Sequence, residues 1–64
     1  MKYLFKFKIR GQWFWTHART MSEAVADVSK QIGEDIEGYG MEIFVKNIDG
    51  SALDQATYEK IMWS

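Results

Sequence analysis

A chain of 64 residues has room for one small domain, and a domain of that size buries only about 60% of the surface its unfolded chain exposes. It has no cysteine and a single histidine, which excludes a disulfide framework, Cys-ligated zinc and a thiol nucleophile. The net charge of −1 conceals an asymmetry: residues 1–32 carry six Lys and Arg against two acids, residues 33–64 two against seven, so two electrostatically different surfaces are expected.

The first ten residues interleave Lys2, Lys6, Lys8 and Arg10 with apolar side chains. A secretory signal needs an unbroken apolar run and a spanning helix needs roughly 20 apolar residues, so neither is expected, and a cytoplasmic location is. Residues 2–9 alternate. Tyr3, Phe5, Phe7 and Ile9 face one way, and Lys2, Leu4, Lys6 and Lys8 the other, which reads as a half-buried strand with a basic solvent face. Gly11-Gln12 fits a two-residue turn with glycine first. Counting from it sets Ile9 opposite Phe14, Phe7 opposite Thr16 and Phe5 opposite Ala18 on the core face. Arg10 then lies opposite Trp13, Lys8 opposite Trp15 and Lys6 opposite His17 outside. A three-residue loop, Arg10-Gly11-Gln12, would slip the register by one and carry Trp13 and Trp15 into the core. The first register pairs cations with indoles; the second suits the average burial of tryptophan.

Thr20 and Glu23 have the spacing of a capping box, with the Thr20 hydroxyl placed to accept from the Glu23 N–H. After it Met21, Val25, Val28 and Ile32, with Ala24, make one apolar helical face, so a helix is predicted over 21–32 with Gly33 as its stop. Residues 33–40 read as an acidic loop, Ile36 being able to add a further apolar turn and Gly38-Tyr39-Gly40 forming a flexible joint. Residues 41–48 read as a third strand with Met41, Ile43 and Val45 inward and Glu42, Phe44 and Lys46 outward. Asp49-Gly50 is a turn. Ser51 is placed to cap a short helix over about 52–60, with a terminal strand as the alternative. The whole is a single α+β domain, residues 1–64. It has a three-stranded antiparallel sheet, ββαβ in order 2-1-3, one main helix on one face and a short C-terminal helix.

No catalytic, metal or cofactor site is expected. One histidine lacks converging ligands, and the chain has no phosphate-cradling glycine loop and no nucleophile elbow. Glu34, Asp35 and Glu37 lack the spacing of a calcium loop. The informative set is the outer sheet face. It is expected to show Lys6, Lys8, Arg10, Trp13, Trp15, His17, Phe44 and Lys46, with Lys2 and Arg19 nearby. Exposed rings and cations suit a protein contact, hetero or homodimeric, because aromatic and arginine side chains carry interface energy. They also suit single-stranded nucleic acid, where bases stack on rings and cations meet phosphates. In a third reading Leu53, Ile61, Met62 and Trp63 fold over the indoles and hide them. Glu34, Asp35, Glu37 and Glu42 form an alternative acidic contact for a basic groove.

The junction Ala18-x-Thr20-Met21-x-Glu23-Ala24-Val25, set between a strand pair and a last strand, resembles that of small phage-encoded inhibitors of bacterial RNA polymerase of the T7 type. Other short phage inhibitors, anti-CRISPR proteins among them, are of similar size. The resemblance implies a non-enzymatic protein that binds and blocks a larger host machine inside the host cell. The C-terminal helix departs from it, and no binding residue carries over.

Overall fold

In the computed structural model, which describes residues 1–63, the chain runs β1 (Tyr3–Ile9), β2 (Gln12–Ala18), α1 (Met21–Ile32), β3 (Met41–Lys46) and α2 (Gln55–Met62). The sheet is antiparallel with β1 in the middle, in the order β2-β1-β3. Its organising feature is the alternation on β1. Phe5, Phe7 and Ile9 are buried on one face, and Lys6 is exposed on the other. Both helices contribute to the same core. Ala24 and Val28 of α1 and Ile61 of α2 join Phe5, Phe7, Ile9, Ala18 and Ile36 in one buried cluster. Met41, Ile43 and Val45 reach it from β3, and Leu53 from the segment before α2.

The hairpin turn is Arg10-Gly11, with both residues at positive φ, 53° and 79°. That is the signature of a type I′ turn, whose twist matches the flanking strands. It corrects the Gly11-Gln12 turn and shifts the pairing by two residues. Phe7 lies opposite Phe14, Lys6 opposite Trp15 and Lys8 opposite Trp13, while Arg10 leaves the ladder. A shift of two preserves every face assignment, because side chains alternate with period two. The observed register pairs all seven residues of β1 with all seven of β2. The expected one would set Tyr3 and Leu4 opposite Thr20 and Arg19, beyond the end of β2 and at the helix entrance. The three-residue loop is also excluded, since Trp13 and Trp15 are exposed.

Thr20 is the N-cap of α1, extended at φ −138° and ψ 163°, and its hydroxyl accepts from the Glu23 N–H at 3.2 Å. Gly33 ends the helix in the left-handed conformation at φ 86°, and the N–H groups of Gly33 and Glu34 both donate to the Ser29 carbonyl. Two side-chain bonds tie α1 to β2. The Thr16 hydroxyl donates to Asp27 at 3.2 Å, and Gln31 Nε2 donates to the Trp15 carbonyl at 3.0 Å.

Residues 33–40 form the expected loop and add no helical turn at Ile36, yet Ile36 is fully buried and its N–H donates to the Ser29 hydroxyl, so this loop is pinned to the core at its centre. Tyr39 likewise packs against the core instead of serving only as a joint. Two boundaries, in β3 and α2, differ from expectation. β3 stops at Lys46, because Asn47 begins a turn in which the Gly50 N–H donates to its carbonyl. α2 starts at Gln55, not Ala52, and the terminal strand does not form. Ser51 is occupied in that turn, bonding to Asp49, and the N-cap is Asp54, whose carboxylate accepts from the Thr57 N–H at 2.7 Å.

Phe7→Ala removes a fully buried ring from the central strand, and denaturant unfolding should show a loss of about 3–5 kcal/mol. Acid should also weaken the fold at defined groups. Hydrogen bonds from Ser51 hold the Asp49 carboxyl below its ordinary 3.8, and those from Thr57 do the same for Asp54. Groups with depressed folded pKa values contribute stability above 3.8 and lose it as pH falls through the folded values. An Asp49→Asn/Asp54→Asn variant keeps neutral acceptors in place. Its thermal midpoint, followed by circular dichroism, should fall less steeply below pH 3.8 than that of the parent.

Candidate functional site

With both helices gathered on one side, the other face of the sheet is left open. Its residues follow from the ladder as three rows running across the strands β2-β1-β3. The rows are Trp13, Lys8 and Glu42; Trp15, Lys6 and Phe44; and His17, Leu4 and Lys46. Trp13 is 55% exposed, Trp15 59% and Phe44 45%. The C-terminal segment does not cover them: Ile61 is buried in the core on the far side, and Trp63 is itself exposed. That excludes the hidden-indole reading.

The rings are ordered by their neighbours. Trp13 leans across the sheet to Phe44, with centroids 5.7 Å apart and planes at 41°. The Lys8 ammonium lies 5.8 Å from the Trp13 ring centroid, within cation–π range. The His17 ring meets Trp15 edge-on at 5.4 Å. Between the two indoles is a notch of about 320 Å³, lined by Lys6, Trp13, Phe14 and Trp15. Lys6, Lys8 and Lys46 give the face a positive balance against the single carboxylate of Glu42. Strands hold these side chains in fixed register, so the face needs little ordering to meet a partner.

Seven of the eight expected contact residues share this surface: Lys6, Lys8, Trp13, Trp15, His17, Phe44 and Lys46. Arg10 is the correction. It sits in the turn, and its guanidinium lies 4.8 Å from the Tyr39 ring centroid. Arg19 also falls elsewhere, lining a hollow with Tyr3, Thr57 and Ile61. Leu4 was legible as outward-facing from the alternation, yet its place at the centre of the last row emerges only with the ladder.

The acidic set does not come together either. Glu42 is on the outer sheet face opposite Lys8, whereas Glu34, Asp35 and Glu37 lie in the loop after α1. Two of those loop carboxylates have local structural partners. Glu34 accepts from the Tyr39 hydroxyl at 2.6 Å, and Asp35 accepts from the Glu37 N–H at 3.1 Å. The Glu34 bond, assisted by desolvation, pushes the Tyr39 hydroxyl above its ordinary pKa. Among the described residues no three His, Asp or Glu side chains converge as metal ligands, and no helix is long and apolar enough to cross a membrane.

No protein-family model, curated protein or solved structure matches the chain. The functional reading therefore stands on the geometry of the open face.

All three tryptophans are exposed, Trp63 at 87%. Native emission should therefore resemble that of the unfolded chain, and iodide should quench both to a similar extent. Blue-shifted, iodide-protected emission from the folded protein would show that the indoles are covered.

Proposed function

We propose that the chain is a non-enzymatic binding module that docks its open sheet face onto a larger protein and inhibits it by occupying its surface. The observation that carries this reading is the juxtaposition of three exposed rings and three lysines in one rigid register. A core-forming preference alone would not leave two indoles and a phenyl ring in water. At an interface the same groups supply apolar area at low conformational cost, with cations to steer the approach. The fitting partner presents acidic residues around an apolar side chain, the latter seating in the notch between Trp13 and Trp15. A phage-type or accessory regulator acting in the cytoplasm of a host cell belongs to the same proposal.

A second reading, single-stranded nucleic acid, is favoured by one feature. Lys6 lies between Trp15 and Phe44, which sets a cation between two exposed rings. Stacked bases on the rings would bring phosphates toward such cations.

Affinity capture from bacterial lysate tests the first reading. A specific partner should be retained by the parent and by a Glu34→Lys/Asp35→Lys variant, and lost by Trp13→Ala/Trp15→Ala. Loss with the acidic-loop variant alone would move the contact to that loop. Oligonucleotide titration at low and moderate salt decides the second reading: strongly salt-dependent quenching supports it, and flat titrations at low salt remove it.

A further inference from the structure

The two edges of the sheet are not equivalent, and the difference follows from the hairpin. A turn of this class is closed by a hydrogen bond from the Gln12 N–H to the Ile9 carbonyl, so Ile9 and Gln12 are a hydrogen-bonded pair. Bonded and non-bonded pairs alternate along an antiparallel ladder. Tyr3, Phe5, Phe7 and Ile9 therefore bond toward β2, and Leu4, Lys6 and Lys8 bond toward β3. On β2 this leaves the backbone of Trp13, Trp15 and His17 pointing off the edge. Gln31 of α1 reaches that edge and donates to the Trp15 carbonyl, which confirms the phase. On β3 the outward groups are those of Met41, Ile43 and Val45. No turn, loop or side-chain hydrogen bond of the described residues engages Ile43 or Val45. An unpaired edge of this kind is a template for another strand.

The sequence of β3 identifies which strand fits. Glu42 and Lys46 lie symmetrically about Phe44, all three on the outer face. We infer that β3 pairs antiparallel with β3 of a second copy about a two-fold axis at Phe44. The two sheets then merge into one six-stranded sheet. In this register Ile43 faces Val45 of the second copy, and the reverse, so the outward backbone groups of both strands bond to each other. Glu42 faces Lys46 of the second copy, the reverse pair repeats it, and the two Phe44 rings meet at the axis. Each residue contacts the one that contacts it, which is the requirement of an isologous interface. Sliding by two residues either way keeps the backbone phase but loses both Glu–Lys pairs. Sliding by one opposes outward with inward backbone groups. Charges at an edge usually guard against self-pairing; here their placement makes the edge complementary to itself. A single strand pair is a small interface, so the dimer is reversible and concentration-dependent. It stands on the β3 edge, shares Phe44 and Lys46 with the open face and uses neither Trp13 nor Trp15 of β2.

Charge reversal tests the register with the full chain. Sedimentation velocity over a concentration series should show a reversible dimer. Glu42→Lys and Lys46→Glu should each weaken it roughly tenfold, because each sets like charges opposite one another twice. The combined Glu42→Lys/Lys46→Glu variant exchanges the partners and should restore the parental midpoint, an effect that damage to folding does not produce. Trp13→Ala/Trp15→Ala should leave the dimer intact. A parent that stays monomeric to millimolar concentration overturns the inference. So do single reversals that dimerise like the parent, a combined variant that does not recover, or a dimer lost only with the tryptophans.

Discussion

The structure depends on one constraint: the central strand has two faces, and the chain has helices for only one of them. Phe5, Phe7 and Ile9 project from β1 into the cluster completed by α1, Ile36 and Ile61. In a chain this short one core has to serve, so the apolar faces of both helices and the loop residue Ile36 are drawn to that side. The opposite row of β1, Leu4, Lys6 and Lys8, is flanked by Trp13, Trp15 and Phe44 and stays uncovered. The open face is thus a direct consequence of how the core is built. It is also the least economical part of the molecule, since three large rings that would stabilise a core remain in water.

Much of this was legible because it rests on strong local rules. The alternation in residues 3–9 assigned both faces of β1, and the Thr20–Glu23 spacing with the apolar stripe set α1 at 21–32. The hairpin turn was not legible, because an arginine at positive φ is uncommon in its own right. Arg10 adopts it at φ 53°, with its guanidinium resting over Tyr39, a residue 29 positions later. That contact has no local signature. Ile36 was hard to place for a related reason: a lone apolar residue among acids carries no period, and only the loop's return to the Ser29 hydroxyl fixes it. The start of α2 was misplaced because Ser51 and Asp54 are both good caps, and the turn residues Asn47 and Asp49 claim the first.

The candidate site shows the same division. Which residues face outward followed from period two and survived a register error of two. Which residues are neighbours did not. Trp13 meets Phe44 across β1, and Lys6 separates Trp15 from Phe44, only in the observed ladder. Arg10 dropped out for the reason that moved the turn, and Glu42 left the acidic set because strand alternation outranks closeness in sequence. The identity of a partner has no such local rule and enters only through the chemistry of the face.

The central claim is that β1 is the strand on which the rest is assembled, with one face buried and hydrogen-bonded neighbours on both edges. Native-state amide hydrogen exchange, residue by residue at low protein concentration, tests it most directly. The slowest amides should be those of Phe5, Lys6 and Phe7, with Ile43 and Val45 at the free edge exchanging much faster. Slowest exchange in β3 or α2, with β1 amides exchanging as fast as the turns, would contradict the account.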